Sequence, residues 1–506
     1  MNFSVDIGLL WEEENISGEL TGEYAVQCRM DCCRYLNLAK TTGKFSAQLP
    51  ASQSAATYGI RLGEMFSSAR AEQMLTPLQA SRPNLDLDIL EAGKKWEANG
   101  RELDNRVWWP VVQCGSRSDA EAVAAELREL PGLDPLAFMI VKLEKAEPSA
   151  PFGFSLGEFS ARILEVRMVP LDANSVFRLH HVPIGRGFHW QRKETLSYRG
   201  ILSLFSPGHE LTAVNRLPME MYLESTVGSE MRSDLPPAFS QAQAICARST
   251  VLATANRHHR ADGFDVCNDD HCQCYQGTQR EAQAVIEPVR ATAGQVLLDE
   301  NRVVDARYAK SCGGLSEKYE AVWGGEGPAY FAVRPCGEYY TRNINDDDSA
   351  RISLVEPPKA FCNPKHYPYP DPWDKDPLFR WKYSHAPEKL GALVEEKTGT
   401  AVGKVRELRS VKRGQSGRIL ILDILGSERT LRVYGELNIR RALSPSHLPS
   451  SYFVTENSSA QITLIGGGWG HGVGLCQLGA CAMAKAGMSV PRILDWYYPG
   501  SMPVVL

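Results

Sequence analysis

The 506-residue sequence has no apolar stretch near the ~20 residues that a membrane helix needs, so no spanning segment is expected. It has no excess of positive charge either. Lys and Arg number 55 against 60 Asp and Glu, for a net charge of −5, which excludes a generally basic nucleic-acid binder. Thirty prolines and 42 glycines are too few for a disordered or collagen-like chain. Thirteen cysteines are too sparse for a disulfide scaffold, and the odd number leaves at least one thiol without an intrachain partner. The opening MNFSVDIGLLWEEEN lacks a basic n-region and turns acidic at Glu12, so no secretory signal is expected there. What remains is 43% hydrophobic and 23% charged, the balance of a soluble globular protein. At about 150 residues per domain, this length suggests roughly three domains or one large composite.

Phe3 to Leu10 alternates in part and reads as a strand. A Cys-rich stretch (Cys28, Cys32, Cys33) follows, then a polar linker near 41–56. Residues 57–146 hold an internal repeat. Tyr58–Gly63 and Trp109–Gly115 each read as a strand ending in Gly, followed by helices at Ala69–Leu75 and Ala120–Leu127. Second strands are expected at Leu85–Leu90 and Ala137–Leu143, giving strand-helix-strand twice. Residues 150–506 form the third unit, strand-rich to about 215, with helices near 218–227 and 238–259. The proline-rich 336–385 reads as an excursion, 403–435 as short strands, and 466–474 as a Gly-rich turn before a helix ending at Gly487. The expected fold class is α+β: a strand-rich core with a few helices lining a groove, plus a smaller N-terminal α+β module.

Three carboxylates lie between Asn215 and Met231. Glu220 falls in a first helical turn, where a negative charge offsets the macrodipole. Glu224 lies one turn on and reads as an exposed acid. Glu230 follows Gly228 and is expected off the helix, without such a local reason to be acidic. The run Cys267-Asn268-Asp269-Asp270-His271-Cys272-Gln273-Cys274 packs thiols and an imidazole, the preferred ligands of Zn²⁺. In an extended chain His271 and Cys272 would face opposite ways, so Cys267 with His271 is the better pair. A disulfide within the run, or to Cys312, is the alternative. The turn Gly466–Gly474 fits neither G-x-G-x-x-G nor a P-loop. So much glycine implies close backbone approach to a segment or a ligand. For His471 a groove-lining role and a fixed structural hydrogen bond both stay open.

Three phrases, in this order, carry a resemblance: Leu217-Pro218-Met219-Glu220-Met221-Tyr222-Leu223 with Ser229-Glu230-Met231; Phe264-Asp265-Val266-Cys267 to Tyr275-Gln276-Gly277; and Gly468-Trp469-Gly470-His471-Gly472-Val473-Gly474-Leu475-Cys476-Gln477-Leu478-Gly479-Ala480. They resemble the stage II sporulation protein D (SpoIID/LytB) family from about residue 150 to 506. Ile184-Gly185 to Phe188-His189-Trp190, Ala242-Gln243-Ala244, Arg248-Ser249, Ser311-Cys312-Gly313-Gly314 and Tyr497-Tyr498-Pro499-Gly500 agree. The resemblance implies a lytic transglycosylase cleaving peptidoglycan glycan strands that lack stem peptides, leaving 1,6-anhydro ends. It implies Glu230 as the catalytic acid, Arg248 as a positioning group at the catalytic site, a structural zinc on Cys267 and His271, and substrate contacts at His471, Gln477 and Gln243. It also implies an extracytoplasmic location, although no export signal is read. The chain departs from the family at Arg232, where Pro is common, and at Thr250, where an aromatic is usual. The second reading is a non-catalytic cell-wall binder or enhancer of a cell-wall amidase. The repeat at 57–146 resembles a SPOR domain, a glycan-binding module, with Trp109 as its sugar contact; an unassigned α+β domain is the alternative.

Overall fold

The computed structural model describes residues 3–31, 34–49, 56–144, 150–187, 190–207, 210–231, 235–337, 343–368, 378–458 and 460–506. Cys32, Cys33, Phe188, His189 and Arg232 lie outside them.

An 11-stranded, largely antiparallel sheet is built from the segments on either side of a long insertion. Ser4–Glu13 pairs with Leu211–Pro218, and Ile7 and Gly8 pair in parallel with Val266 and Cys267. Asn15–Arg29 and Tyr35–Gln48 form a hairpin whose second strand pairs with Phe152–Leu156, Gln48 opposite Gly153. Segment 1–56 is therefore not a separate unit, and the expected linker is strand as far as Gln48. The first strands close the core sheet because Val5, Ile7, Leu9 and Leu10 bury completely in it.

Residues 57–144 leave and re-enter this sheet at neighbouring strands, the geometry of an inserted domain. The insert is a four-stranded antiparallel sheet ordered Leu87–Ala92, Val107–Cys114, Tyr58–Arg61, Met139–Lys142. Helices α1 (Ser68–Ser81) and α2 (Arg117–Leu127) connect the strands, so the twofold strand-helix-strand pattern is present. A capping box at Ser116 and Asp119 starts α2. A hairpin, Lys95–Ala98 with Arg101–Asp104, extends from the insert onto the core, where Trp96 donates to the Leu252 carbonyl at 2.9 Å.

Helix α3 (Met219–Glu230) runs straight on from Leu211–Pro218. Helix α4 (Pro237–Thr254) starts on a proline at its first position and is buried nearly all round. One face (Ala244, Ala247, Val251) packs into the sheet core and another (Phe239, Ala242, Ile245) into a second core beneath the C-terminal helices. The string of alanines lets both cores approach the helix axis. Within the expected excursion, Arg380–His385 pairs with Ile462–Gly467, so its C-terminal end belongs to a core sheet. Residues 369–377 lie outside the described part. The whole is a mixed α+β fold.

Candidate functional site

Glu230 is the last residue of α3 rather than beyond it. Gly228 allows this end of the helix to meet the chain at Arg280: a Cβ there would sit 2.1 Å from the Arg280 carbonyl oxygen. The loop after Cys267 is laced to α3 and α4. Tyr222 donates to Gln273 at 2.9 Å, Gln273 donates to the Ala247 carbonyl at 3.2 Å, and the Gln276 N–H reaches Ser229 at 3.2 Å. That lacing presents the Cys274 N–H to Glu230 Oε1 at 2.8 Å.

The three helix carboxylates differ in their partners. Glu220 forms a two-point pair with Arg248, at 2.9 and 2.6 Å, and accepts from the Gly294 N–H. Glu224 is buried, not exposed, between Arg199 at 3.2 Å and Arg290 at 2.9 Å. Glu230 is half-buried and, among the described residues, has no ion pair with an arginine. Burial raises its pKa, the nearby Asp270 adds to this, and the Cys274 N–H and Lys310 oppose it. Burial thus pushes this carboxyl toward its protonated form. Tyr308 lies close enough to feel the charge of Glu230, and its buried hydroxyl has no partner among the described residues.

Arg248 is 1% exposed, and its remaining hydrogen bond goes to the Gln295 carbonyl at 2.9 Å. It therefore faces Glu220, and any influence on Glu230 passes through the packing of α3 on α4.

Beside this loop, ligand atoms of His259, Cys267, His271 and Cys272 all lie within 4.8 Å of one another. His271 and Cys272 both reach the cluster because residues 270–272 form a turn, which removes the strand alternation expected from sequence. His259 was not anticipated; its only signal is the His258-His259 doublet upstream of Cys267. His259 Nδ1 is 2.8 Å from Asp262, and its buried Nε2 has no hydrogen-bond partner among the described residues. A carboxylate on one nitrogen and an unpartnered second nitrogen is how a histidine metal ligand is oriented. The donor set suits a metal ion. Cys312 is not part of this group but of a second one, with Cys336, Cys362 and Cys476.

The other anticipated contacts are interior. Gln477 donates to Gln243 at 3.4 Å, and both are buried, which removes them from any open substrate surface. Trp109 is 3% exposed and donates to Glu64 at 3.1 Å, with Arg61 over its ring, so it cannot stack on a sugar. Trp108 is the indole of that pair left half-exposed. His471 accepts the Val473 N–H at 3.0 Å and packs on Trp323. Burial, with Arg307 nearby, pushes its pKa down to about 3, so the ring is neutral. The glycines around it serve backbone approach to protein: a Cβ at Gly474 would lie 2.0 Å from the Arg307 carbonyl oxygen, and one at Gly472 would strike Arg418.

These features define a mixed α+β protein with a half-buried acid at a helix end beside a Cys/His cluster. Residues 207–298, which hold both, match the family model described as Stage II sporulation protein (SpoIID). Residues 317–474 match a domain of unknown function, DUF8618. The chain is 25% identical to Stage II sporulation protein D of Bacillus subtilis over 308 residues, 57% of this chain and 75% of that one. It is 24% identical to the amidase enhancer of the same organism over 300 residues, 55% of this chain and 40% of that one. An uncharacterized protein of Brachyspira hyodysenteriae is 26% identical over 310 residues, 60% of this chain and 72% of the other. The chain is a relative of the SpoIID/LytB family, as its motifs implied.

Proposed function

We propose that the protein acts on the cell wall as a lytic transglycosylase, cleaving MurNAc-β-1,4-GlcNAc bonds in glycan strands without stem peptides. The observation that carries this reading is Glu230: a half-buried carboxyl, raised in pKa by burial, held by one backbone N–H and free of the arginines that neutralise Glu220 and Glu224. Protonated Glu230 donates its proton to the glycosidic oxygen, and the C1–O bond breaks as C1 gains oxocarbenium character. The resulting carboxylate then takes the proton of the C6 hydroxyl while O6 bonds to C1. This closes the 1,6-anhydro ring and returns Glu230 to its acid form. The Cys274 N–H orients the carboxyl and steadies its anionic phase between the two transfers.

His259, Cys267, His271 and Cys272 are the residues that would hold zinc, and the ion would supply a crosslink of the loop rather than chemistry on the sugar. The deciding experiment is mass spectrometry of denuded glycan after incubation with the purified protein. Products with 1,6-anhydro ends that vanish with Glu230→Gln are expected; uncut glycan would overturn the reading. The likeness to an amidase enhancer favours a second reading, in which the chain binds glycan and stimulates an amidase without cutting. The same assay separates the two.

A further inference from the structure

The second sulfur cluster joins four segments far apart in sequence. The Sγ atoms of Cys312, Cys336, Cys362 and Cys476 all lie within 4.8 Å of one another, and all four residues are buried. Cys312 and Cys362 place their sulfurs 3.7 Å apart. A tetrahedral ion with metal–sulfur bonds of ~2.3 Å has sulfur–sulfur edges of about 3.8 Å. A four-iron cluster puts its own iron and sulfide atoms between the cysteines and needs a wider opening.

The surroundings favour thiolate at Cys476. Cys476 caps the N-terminus of the nine-residue helix Gln477–Lys485, the positive end of its dipole. The Cys312 N–H donates to Cys476 Sγ at 3.3 Å, and the Tyr497 hydroxyl lies 3.5 Å from Cys336 Sγ. Gly479 makes room for the sulfurs: a Cβ there would be 2.5 Å from Cys336 Sγ and 3.4 Å from Cys476 Sγ. Four thiolates around a divalent ion carry two net negative charges, and a buried cation stands beside them. Arg418 is fully buried and, among the described residues, makes no salt bridge to a carboxylate. Its guanidinium reaches the Cys312 carbonyl at 3.3 Å, Ser416 at 3.0 Å and the Gly470 carbonyl at 3.1 Å. Arg380 donates to the next carbonyl, Gly313, at 2.9 Å.

We propose that Cys312, Cys336, Cys362 and Cys476 form a structural tetrathiolate zinc site, separate from the His259–Cys272 cluster. Binding forms four Zn–S bonds and releases the thiol protons to solvent, with no change of oxidation state. The site fastens the segments around Cys336 and Cys362 to the Gly-rich turn and to the helix after Cys476. The rival is a pair of disulfides among the same sulfurs, which an oxidising compartment would favour.

The test uses the full chain purified with zinc, alkylated in the native state before and after chelation, and mapped by mass spectrometry. Expected is joint protection of all four cysteines, lost together when zinc is removed, and persisting in His271→Ala, which disables only the other cluster. Cobalt exchanged into His271→Ala should give the intense charge-transfer absorption of a tetrathiolate, and Cys362→Ser should abolish it. A disulfide mapped among the four, or alkylation that ignores metal removal, overturns the proposal. These readouts need no glycan cleavage, so they stand or fall apart from the function proposed above.

Discussion

The Cys274 N–H donates to Glu230 at 2.8 Å, and Cys274 lies two residues after Cys272, one of the four Cys/His cluster side chains. The same turn thus offers sulfur and imidazole on one side and the donor that orients the acid on the other. A crosslink through the cluster would fix where that donor points. This gives the Cys/His cluster a mechanical link to Glu230 without any need for metal-bound water.

Glu230→Gln should lower glycan cleavage by about 10²–10⁴-fold, the usual loss for a general acid, with the fold intact because the amide keeps the carboxyl shape. Glu220→Gln should do the reverse. It weakens the pair with buried Arg248 and should cost about 1–3 kcal/mol of stability, seen as a lower Tm, with far less effect on turnover. An inactive, fully stable Glu220→Gln beside an active Glu230→Gln would move the acid to Glu220.

The raised pKa of Glu230 has a stability consequence with a definite sign. The folded protein holds this proton more tightly than the unfolded chain, whose carboxyl titrates near ~4.3. The group's contribution is present in full below that value and is lost as pH rises through the folded pKa. Glu230→Gln lacks this loss. Denaturant melts from about pH 4 upward should therefore show the variant gaining on the wild type and then levelling off. Parallel curves at all pH values would mean that Glu230 is not desolvated.

Asp262 fixes His259 through Nδ1 at 2.8 Å. Asp262→Asn keeps the shape but loses the charge that raises the basicity of the imidazole, and outer-shell losses of this kind cost about 10–100-fold in metal affinity. Competition against a chromogenic chelator measures it. Unchanged affinity would remove His259 from the ligand set.

The sequence was most legible where neighbours in the chain are neighbours in space. The strand-helix-strand repeat, the helix from Met219, the helix started by Pro237 and the Cys267–His271 pair are of this kind. It was least legible where pairing spans long separations. The strand Ser4–Glu13 completes its ladder some two hundred residues later, and the four-cysteine group draws on segments whose spacing carries no motif. Partner choice was equally hidden. Arg248 stands near Glu230 in sequence, yet the helical faces deliver it to Glu220, and the period-2 alternation at Trp108-Trp109 could not say which indole points inward.

That long-range pairing decides how the insert at 57–144 should be removed. Deleting 1–148 takes three strands out of the core sheet, exposes the core residues those strands cover, such as Val166, Phe177 and Ala213, and should yield no soluble folded protein. Excising 50–151 and bridging Leu49 to Phe152 leaves the sheet whole, because Gln48 and Gly153 are already paired neighbours. The excision still removes Glu64 from buried Arg257, Lys142 from Glu210 and Asp262, and the Asn105 bonds to Val303 at 2.8 and 3.0 Å. Circular dichroism should therefore report a folded core with a lower Tm. If the insert serves as a glycan-binding module, KM on long denuded strands should rise while kcat on short ones changes little, since a tether raises local substrate concentration without altering the chemistry. A folded excision variant with unchanged KM on long strands would make the insert a structural brace that contributes nothing to substrate capture.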